Sequence, residues 1–252
     1  MAKLKIEQVS LSYGEEKIIE DISIDLCHNE IVSLLGASGV GKTTLFNVIA
    51  GLHKPDTGRI MLEEKDITGS AGYISYMLQR DLLLPYRTVE DNIILPLQIR
   101  GIKKREARRQ VSSYIDEFGL VGTQKKYPRQ LSGGMRQRAA LLRTYMFSQE
   151  IALLDEPFSA LDMFTKHDMH NWYLKVMERN PISTLFITHD IDEAITLSER
   201  IYLLSGKPGR IIGEIKIDVP KPRHKDFYLS EQFTQYKKKI IELLAKEAEV
   251  GV

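Results

Sequence analysis

The sequence predicts an α/β protein in which a mainly parallel core sheet carries an N-terminal antiparallel β subdomain and an inserted helical subdomain. Three features lead there. Short, nearly continuous apolar runs at Ile31 to Leu35, Ile151 to Leu154 and Thr184 to Thr188 read as strands buried on both faces. The last two are each preceded by a helical pattern, so buried strands alternate with helices. Ahead of the first run lie two alternating stretches separated by a turn at Tyr13-Gly14, as in an antiparallel pair.

In the first stretch Ile6, Val9 and Leu11 are the inward candidates, and in the second Ile18, Ile22, Ile24 and Leu26. After Leu35, Gly36 opens a loop. From Lys42 the period lengthens, with Leu45, Val48 and Ile49 on one helical face and Gly51 as the stop. The inserted helical subdomain is expected at about 88–148. Within it, Ala107, Val111, Ile115 and Phe118 recur at helical spacing amid Lys, Arg and Glu, which marks Lys103 to Phe118 as an amphipathic surface helix. Gly119 and Gly122 break it, and a second helix begins near Ser132. A further helix runs from Met163 to Met177, with Phe164, His167, Trp172 and Val176 suggesting its packed flank, and Asn180-Pro181 ends it. The chain, 1–252, is expected to be a single domain closing on a Lys- and Glu-rich helical segment, 226–252, whose pattern assigns it no function.

At 252 residues the chain can bury one substantial core with a dependent subdomain. Lys and Arg total 35 against 34 Asp and Glu, so composition supplies no broad basic field for nucleic acid, and none is expected as a partner. The start lacks the apolar stretch of a secretory signal, and no run reaches the eighteen or so residues of a membrane span. A soluble protein is expected, with any membrane role coming through a partner. The lone Cys27 reads as a small strand hydrophobe.

Gly36-Ala37-Ser38-Gly39-Val40-Gly41-Lys42-Thr43 satisfies GxxxxGK[ST] between a strand and a helix. Glycines let the backbone curl so that several N–H groups face phosphate oxygens. The helix N-terminus adds positive potential, and Lys42 brings an ammonium to the β- and γ-phosphates. Thr43 offers a hydroxyl to Mg²⁺, and Thr44 completes the stretch expected to touch nucleotide. A P-loop NTPase follows, with no NKxD sequence for guanine. At the end of the run from Ile151, Asp155 and Glu156 sit where open α/β sheets place their ligands. Asp155 suits magnesium, and Glu156 suits orienting and polarising the attacking water.

Leu131-Ser132-Gly133-Gly134-Met135-Arg136-Gln137-Arg138 resembles the signature motif of ATP-binding cassette (ABC) ATPases. On local physics alone Ser132 caps a helix, and Gly133 and Gly134 let a phosphate approach its first-turn N–H groups. The resemblance covers nearly the whole chain and implies further roles. Gln79 looks like the Q-loop residue that senses magnesium and water, Ser159 to Asp162 like the D-loop, and His189 like the switch histidine at the γ-phosphate. Tyr13 occupies the adenine-stacking position. Singly, Gln79 passes for a loop amide, His189 for a satisfied strand-end histidine and Tyr13 for a packing residue; the ordered set carries the assignment.

The resemblance also implies partners. Ser132, Gly133 and Gly134 would face the phosphate loop of a second copy, so that ATP and Mg²⁺ lie between two head-to-tail subunits. Leu82-Leu83-Leu84-Pro85-Tyr86-Arg87-Thr88-Val89-Glu90-Asp91-Asn92 resembles the stretch after the Q-loop in import ATPases, where a groove receives a short helix of an integral membrane permease. Residues 204–212 and 217–223 look like the nitrate, sulfonate and taurine importer group, which includes thiamine-precursor systems. Leu78 and Tyr86 depart from that group's usual phenylalanine and tryptophan, which weakens any claim to a particular member. The implied setting is the cytoplasmic face of the membrane, with an extracytoplasmic solute-binding protein acting indirectly. The alternatives are a soluble ABC ATPase acting on nucleic acid or ribosomes, and an exporter subunit.

Overall fold

The computed structural model describes residues 2–221, 223 and 226–250, with backbone alone at 248–250. It divides into two compact units, one made of the described residues up to Ile74 and from Ile182 onward, the other Ser75–Pro181.

The first unit opens with β1 (Ala2–Tyr13) and β2 (Glu16–Cys27), an antiparallel pair joined through Gly14 at φ +62°. With β4 (Thr57–Leu62) and β5 (Lys65–Asp66) they form an antiparallel sheet in the order β2-β1-β4-β5. The inward set of β2 differs from simple alternation. Ile19, not Ile18, is buried alongside Ile22, Ile24 and Leu26, because Asp21 adopts φ +50° and the ladder slips between Ile19 and Ile22. The three-residue step from Ile6 to Val9 has the same origin in Gln8 at φ +51°. Cys27 ends β2 exposed, contrary to the packed position expected for it.

Strand β3 (Ile31–Gly36) is buried at all six positions and pairs in parallel with β8 (Ser183–Thr188) and β9 (Arg200–Ser205). β10 (Arg210–Lys216) returns antiparallel to β9 after the cis Lys207–Pro208 bond. Helix α1 (Lys42–Ile49) follows β3 and stops at Gly51, φ +73°. Helices α7 (Ile191–Leu197) and α8 (Glu231–Val250) share a core with Leu35, Ile201, Leu203 and Ile215 through Ala194, Ile195, Phe233 and Ile240. The Lys- and Glu-rich C-terminal helix is therefore part of this unit's packing. Pro222 and residues 251 and 252, within the importer-group resemblance and the expected C-terminal helix, lie outside the described residues.

The second unit holds the parallel pair β6 (Ser75–Met77) and β7 (Ile151–Asp155), with α2 (Val89–Ile93), α3 (Leu95–Ile99), α4 (Lys104–Glu117), α5 (Gly133–Phe147) and α6 (Met163–Arg179). The insert between β6 and β7 is helical, as expected. α4 buries Ala107, Val111 and Ile115, in agreement with its 3.6-residue apolar stripe. α6 packs on Met169, His170, Tyr173, Val176 and Met177 instead of the flank expected from Phe164 and His167. Its first turn projects outward, leaving Met163 78% and Phe164 85% exposed.

Candidate functional site

In the first unit the phosphate loop connects β3 to α1. Its shape is enforced by sterics. Gly41 caps α1 at φ +103°, and a Cβ there would come within 2.6 Å of Ile19 Cγ2. At Gly36 a Cβ would strike the carbonyl oxygen of Leu204. Because the N-cap residue is a glycine, no side chain of its own caps the first turn of α1. Ala37, Ser38, Gly39 and Thr43 are exposed, Thr44 is half-buried, and Val40 is buried beneath the loop. Lys42 is buried, and its Nζ donates to the carbonyls of Gly36 and Ala37, each at 2.8 Å.

Tyr13 closes β1 with about half its surface exposed, its ring edge-on to His53 at 5.9 Å. That leaves a planar face to stack on a base. His189 is exposed, held between the last residue of β8 and Asp190, which caps α7 by accepting from the N–H groups of Asp192 and Glu193 at 3.0 and 3.2 Å. A fixed cap directly after it limits where the imidazole can go.

The second unit carries the acids. Asp155 is buried at the end of β7, next to the Tyr76 phenol. Burial, and then the neighbouring Asp155 carboxylate, holds that phenol above its usual pKa, so it stays protonated. Glu156 follows at φ +45°, a conformation rarely taken by a residue with a side chain, and Ser159 secures its carbonyl by both N–H and Oγ. The Glu156 carboxylate accepts a hydrogen bond from Gln79 Nε2 at 3.2 Å. The carboxylate expected to orient water and the amide expected to sense magnesium are thus brought together, although 77 positions separate them in the chain.

Ser132 caps α5 by accepting from Met135 N–H at 3.3 Å. Gly133 and Gly134 begin the helix beneath the D-loop and α6: a Cβ on Gly133 would meet Leu161 at 3.5 Å, and one on Gly134 would meet Thr165 at 3.5 Å. Asp162 caps α6, accepting from Thr165 N–H at 3.1 Å, and hydrogen bonding from the Thr165 side chain, then from its N–H, holds the Asp162 carboxyl below the ordinary range. A cleft of about 410 Å³ lies among Gln79, Leu82, Gly133, Arg136, Ala160 and Leu161.

Several residues that organise this half carry no signal of these roles in the sequence. Arg143 donates to the carbonyls of Asp81 and Leu82 at 2.6 and 2.8 Å, and Arg136 reaches Asp81 Oδ2 at 3.3 Å and the carbonyl of Leu131 at 3.0 Å. Gln137 donates to the carbonyl of Pro157. Asn92, fully buried in α2, accepts from Leu84 N–H at 2.7 Å and donates to the carbonyls of Leu84 and Thr88. In the sequence Asn92 is marked only as the end of the stretch that resembles import ATPases, with nothing to say what its amide holds. It shapes the loop so that, of the three consecutive leucines, only Leu82 is exposed.

Hydroxyl, carboxylate and amide oxygens at Thr43, Asp155 and Gln79 are the hard donors Mg²⁺ takes. Among the described residues no group of three or more His, Cys, Asp and Glu side chains forms a cage. Each of the three, taken singly, is the kind of donor that suits an ion otherwise completed by waters and substrate phosphates.

The family model described as ABC transporter matches residues 19–159. The sequence is 41% identical to the formylaminopyrimidine import ATP-binding protein of Halalkalibacterium halodurans, over 97% of each chain. It is 37% identical to the aliphatic sulfonates import ATP-binding protein of Bacillus cereus, over 91% of this chain and 89% of that one. A solved dimeric ATP-binding cassette in a post-hydrolysis state, bound to ADP and Pi, matches with a TM-score of 0.72 at 28% identity, covering 86% of this chain and 100% of that one.

Proposed function

This chain belongs to the ABC transporter family as an ATP-binding cassette subunit, and we propose that it hydrolyses ATP with Mg²⁺ to energise import of a small nutrient such as a sulfonate, nitrate or thiamine precursor. The observation that carries the hydrolytic reading is the 3.2 Å contact between Gln79 and Glu156 directly after the buried Asp155. The import reading draws on the two import proteins to which the chain is similar along nearly all its length.

In the proposed mechanism Tyr13 stacks on adenine, the loop from Gly36 to Gly41 cradles the phosphates, and Lys42 and Thr44 complete that contact. Thr43, Asp155 and Gln79 would hold magnesium, which when bound would supply positive charge against the phosphates. Glu156 orients and polarises the attacking water, while His189 donates to the γ-phosphate. Ser132, Gly133, Gly134 and Asp162 complete the site of a second copy, so that bound triphosphate closes a head-to-tail dimer and hydrolysis releases it.

No helix among the described residues is long and apolar enough to cross a membrane. The subunit works from the cytoplasmic face through permease subunits, supplied by an extracytoplasmic solute-binding protein. Exposed Leu82 and Tyr86 supply apolar contacts for a permease helix. A cleft of about 740 Å³ among Leu97, Ile102, Tyr114, Met146 and Phe147 offers it a seat.

Glu156→Gln tests the reading. The variant should bind ATP normally, form an ATP-dependent dimer and turn over about 10²-fold or more slowly, the scale of a positioned base. Near-normal steady-state hydrolysis would remove Glu156 from its role. A variant that stays monomeric with saturating ATP and magnesium, alone and in its permease complex, would remove the sandwich.

A further inference from the structure

We propose that the exposed basic face of the helical subdomain, formed by the start of α4 and by residues 125–129, is a docking surface for anionic lipid headgroups. Charge in this protein is unevenly distributed. Between residues 100 and 129 there are nine Lys and Arg against three Asp and Glu, while the whole chain has 35 against 34. The remainder is therefore net acidic, and the positive excess is concentrated on one element and its neighbour.

Part of this charge is already used. Lys104 pairs with Asp91 at 2.8 Å, Arg108 with Glu90 and Asp91 at 2.8 and 2.9 Å, and Arg109 with Glu106 at 3.0 Å. The pairs to Glu90 and Asp91 fix the start of α4 against α2, while the Arg109 pair stays within α4. The backbone of the second segment meets the same place, since Val89 N–H donates to the carbonyl of Lys126 at 2.8 Å and Glu90 N–H to that of Gln124 at 3.1 Å. Neutralising Glu90 and Asp91 internally leaves Lys103, Arg105, Lys125, Lys126 and Arg129 exposed, with no acidic partner among the described residues.

A row of unpaired cations is ordinarily a solvated surface. Here it is interleaved with exposed apolar tips: Ile99 is 78% exposed, four positions before Lys103, and Tyr127 is 41% exposed between Lys126 and Arg129. Cations for headgroups beside an aliphatic and a tyrosyl side chain for the interface make the two-part signal of peripheral membrane binding. The aliphatic tip, which nucleic acid has little use for, favours lipid. The inference goes beyond the transporter reading and needs no permease, so vesicles of lipid alone test it separately.

The experiment is flotation of the purified full chain with phosphatidylglycerol-rich vesicles and with pure phosphatidylcholine vesicles, at low and raised salt. Wild type should float with the anionic vesicles only, and salt should release it. Each cation near such a surface contributes roughly fivefold, so joint reversal of Lys103, Arg105, Lys125 and Lys126 to Glu should weaken binding by more than about a hundredfold. The corresponding fourfold Gln variant should lose less and guard against misfolding. Basal ATPase activity should be unchanged in both, because none of the four belongs to the nucleotide site. Equal flotation of wild type and variants, equal binding to phosphatidylcholine, or displacement from vesicles by an excess of RNA duplex that itself binds more tightly would each overturn the proposal.

Discussion

Two helix N-termini are proposed to hold phosphate, and they are built differently. α1 begins at a glycine, with no side-chain cap, in a loop whose shape follows from where a Cβ cannot go. α5 begins at Ser132, whose hydroxyl caps the helix, and its approach is organised by Arg136, Arg143 and Gln137 reaching residues far away in sequence. The first is a contiguous loop shaped by steric walls at Ile19 and Leu204; the second is shaped by hydrogen bonds from distant side chains. A steric loop suits a permanent cradle. A hydrogen-bonded loop can be rearranged at modest cost, since each net bond is worth about 1 kcal/mol.

The largest effect should come from breaking the steric half. Gly41→Ala forces a side chain into φ +103° and against Ile19. Backbone strain alone is about 1–3 kcal/mol, so the loop should open and ATP affinity fall by roughly a hundredfold. Gly39→Ala is the control, for Gly39 has positive φ but a Cβ added there would meet nothing within 4 Å. Its stability cost should be only about 1 kcal/mol. Thermal denaturation with titration of a fluorescent ATP analogue separates the two, and equal costs would mean that contact with Ile19 is irrelevant.

A smaller and different effect is expected in the hydrogen-bonded half. Arg143→Met leaves the carbonyls of Asp81 and Leu82 without their donor, at a cost of about 1.5–3 kcal/mol. Because these carbonyls follow Gln79 closely, its aim at Glu156 should suffer. Turnover should fall about tenfold with ATP affinity within about twofold of wild type. Equal losses in affinity and turnover would erase the distinction between cradle and trigger.

The same contrast explains what is legible in the sequence. The phosphate loop, the strand before it and the helix after it are contiguous, so spacing alone locates them. The Ser132 and Asp162 caps are equally local. Gln79 is singled out only through family resemblance, and nothing in the sequence puts it against Glu156, because no periodicity relates residues 77 positions apart. Simple alternation points to Ile18 where the fold buries Ile19, because a bulge at Asp21 changes the count without changing composition. The flank of α6 departs from the expected one because its first turn follows the D-loop outward, and helical spacing cannot tell an apolar residue that is buried from one left at a surface.

The smallest effect concerns a part of the first unit that is itself a long-range side-chain construction. Arg223 donates to the carbonyls of Ile195, Thr196 and Ser198 at the end of α7, and Lys221 pairs with Glu199 at 2.7 Å, whose other oxygen accepts from Ile31 N–H at 2.8 Å. Burial, only partly offset by Glu199, pushes the Lys221 amine down to about 8. Below that pH, lysine is charged in both folded and unfolded chains, and the cost of burying the ammonium is present in full. From about pH 8 to the ordinary lysine value near 10.5, the folded chain releases its proton first. The unfolded state then binds more protons, so this group makes stability rise with pH. Across that window the melting temperature of wild type should gain several degrees relative to Lys221→Met, which has no such proton to release. A wild type that instead lost ground to the methionine variant would show that the pair with Glu199 outweighs burial, and the steric unit would then depend on an ion pair as much as its neighbour does.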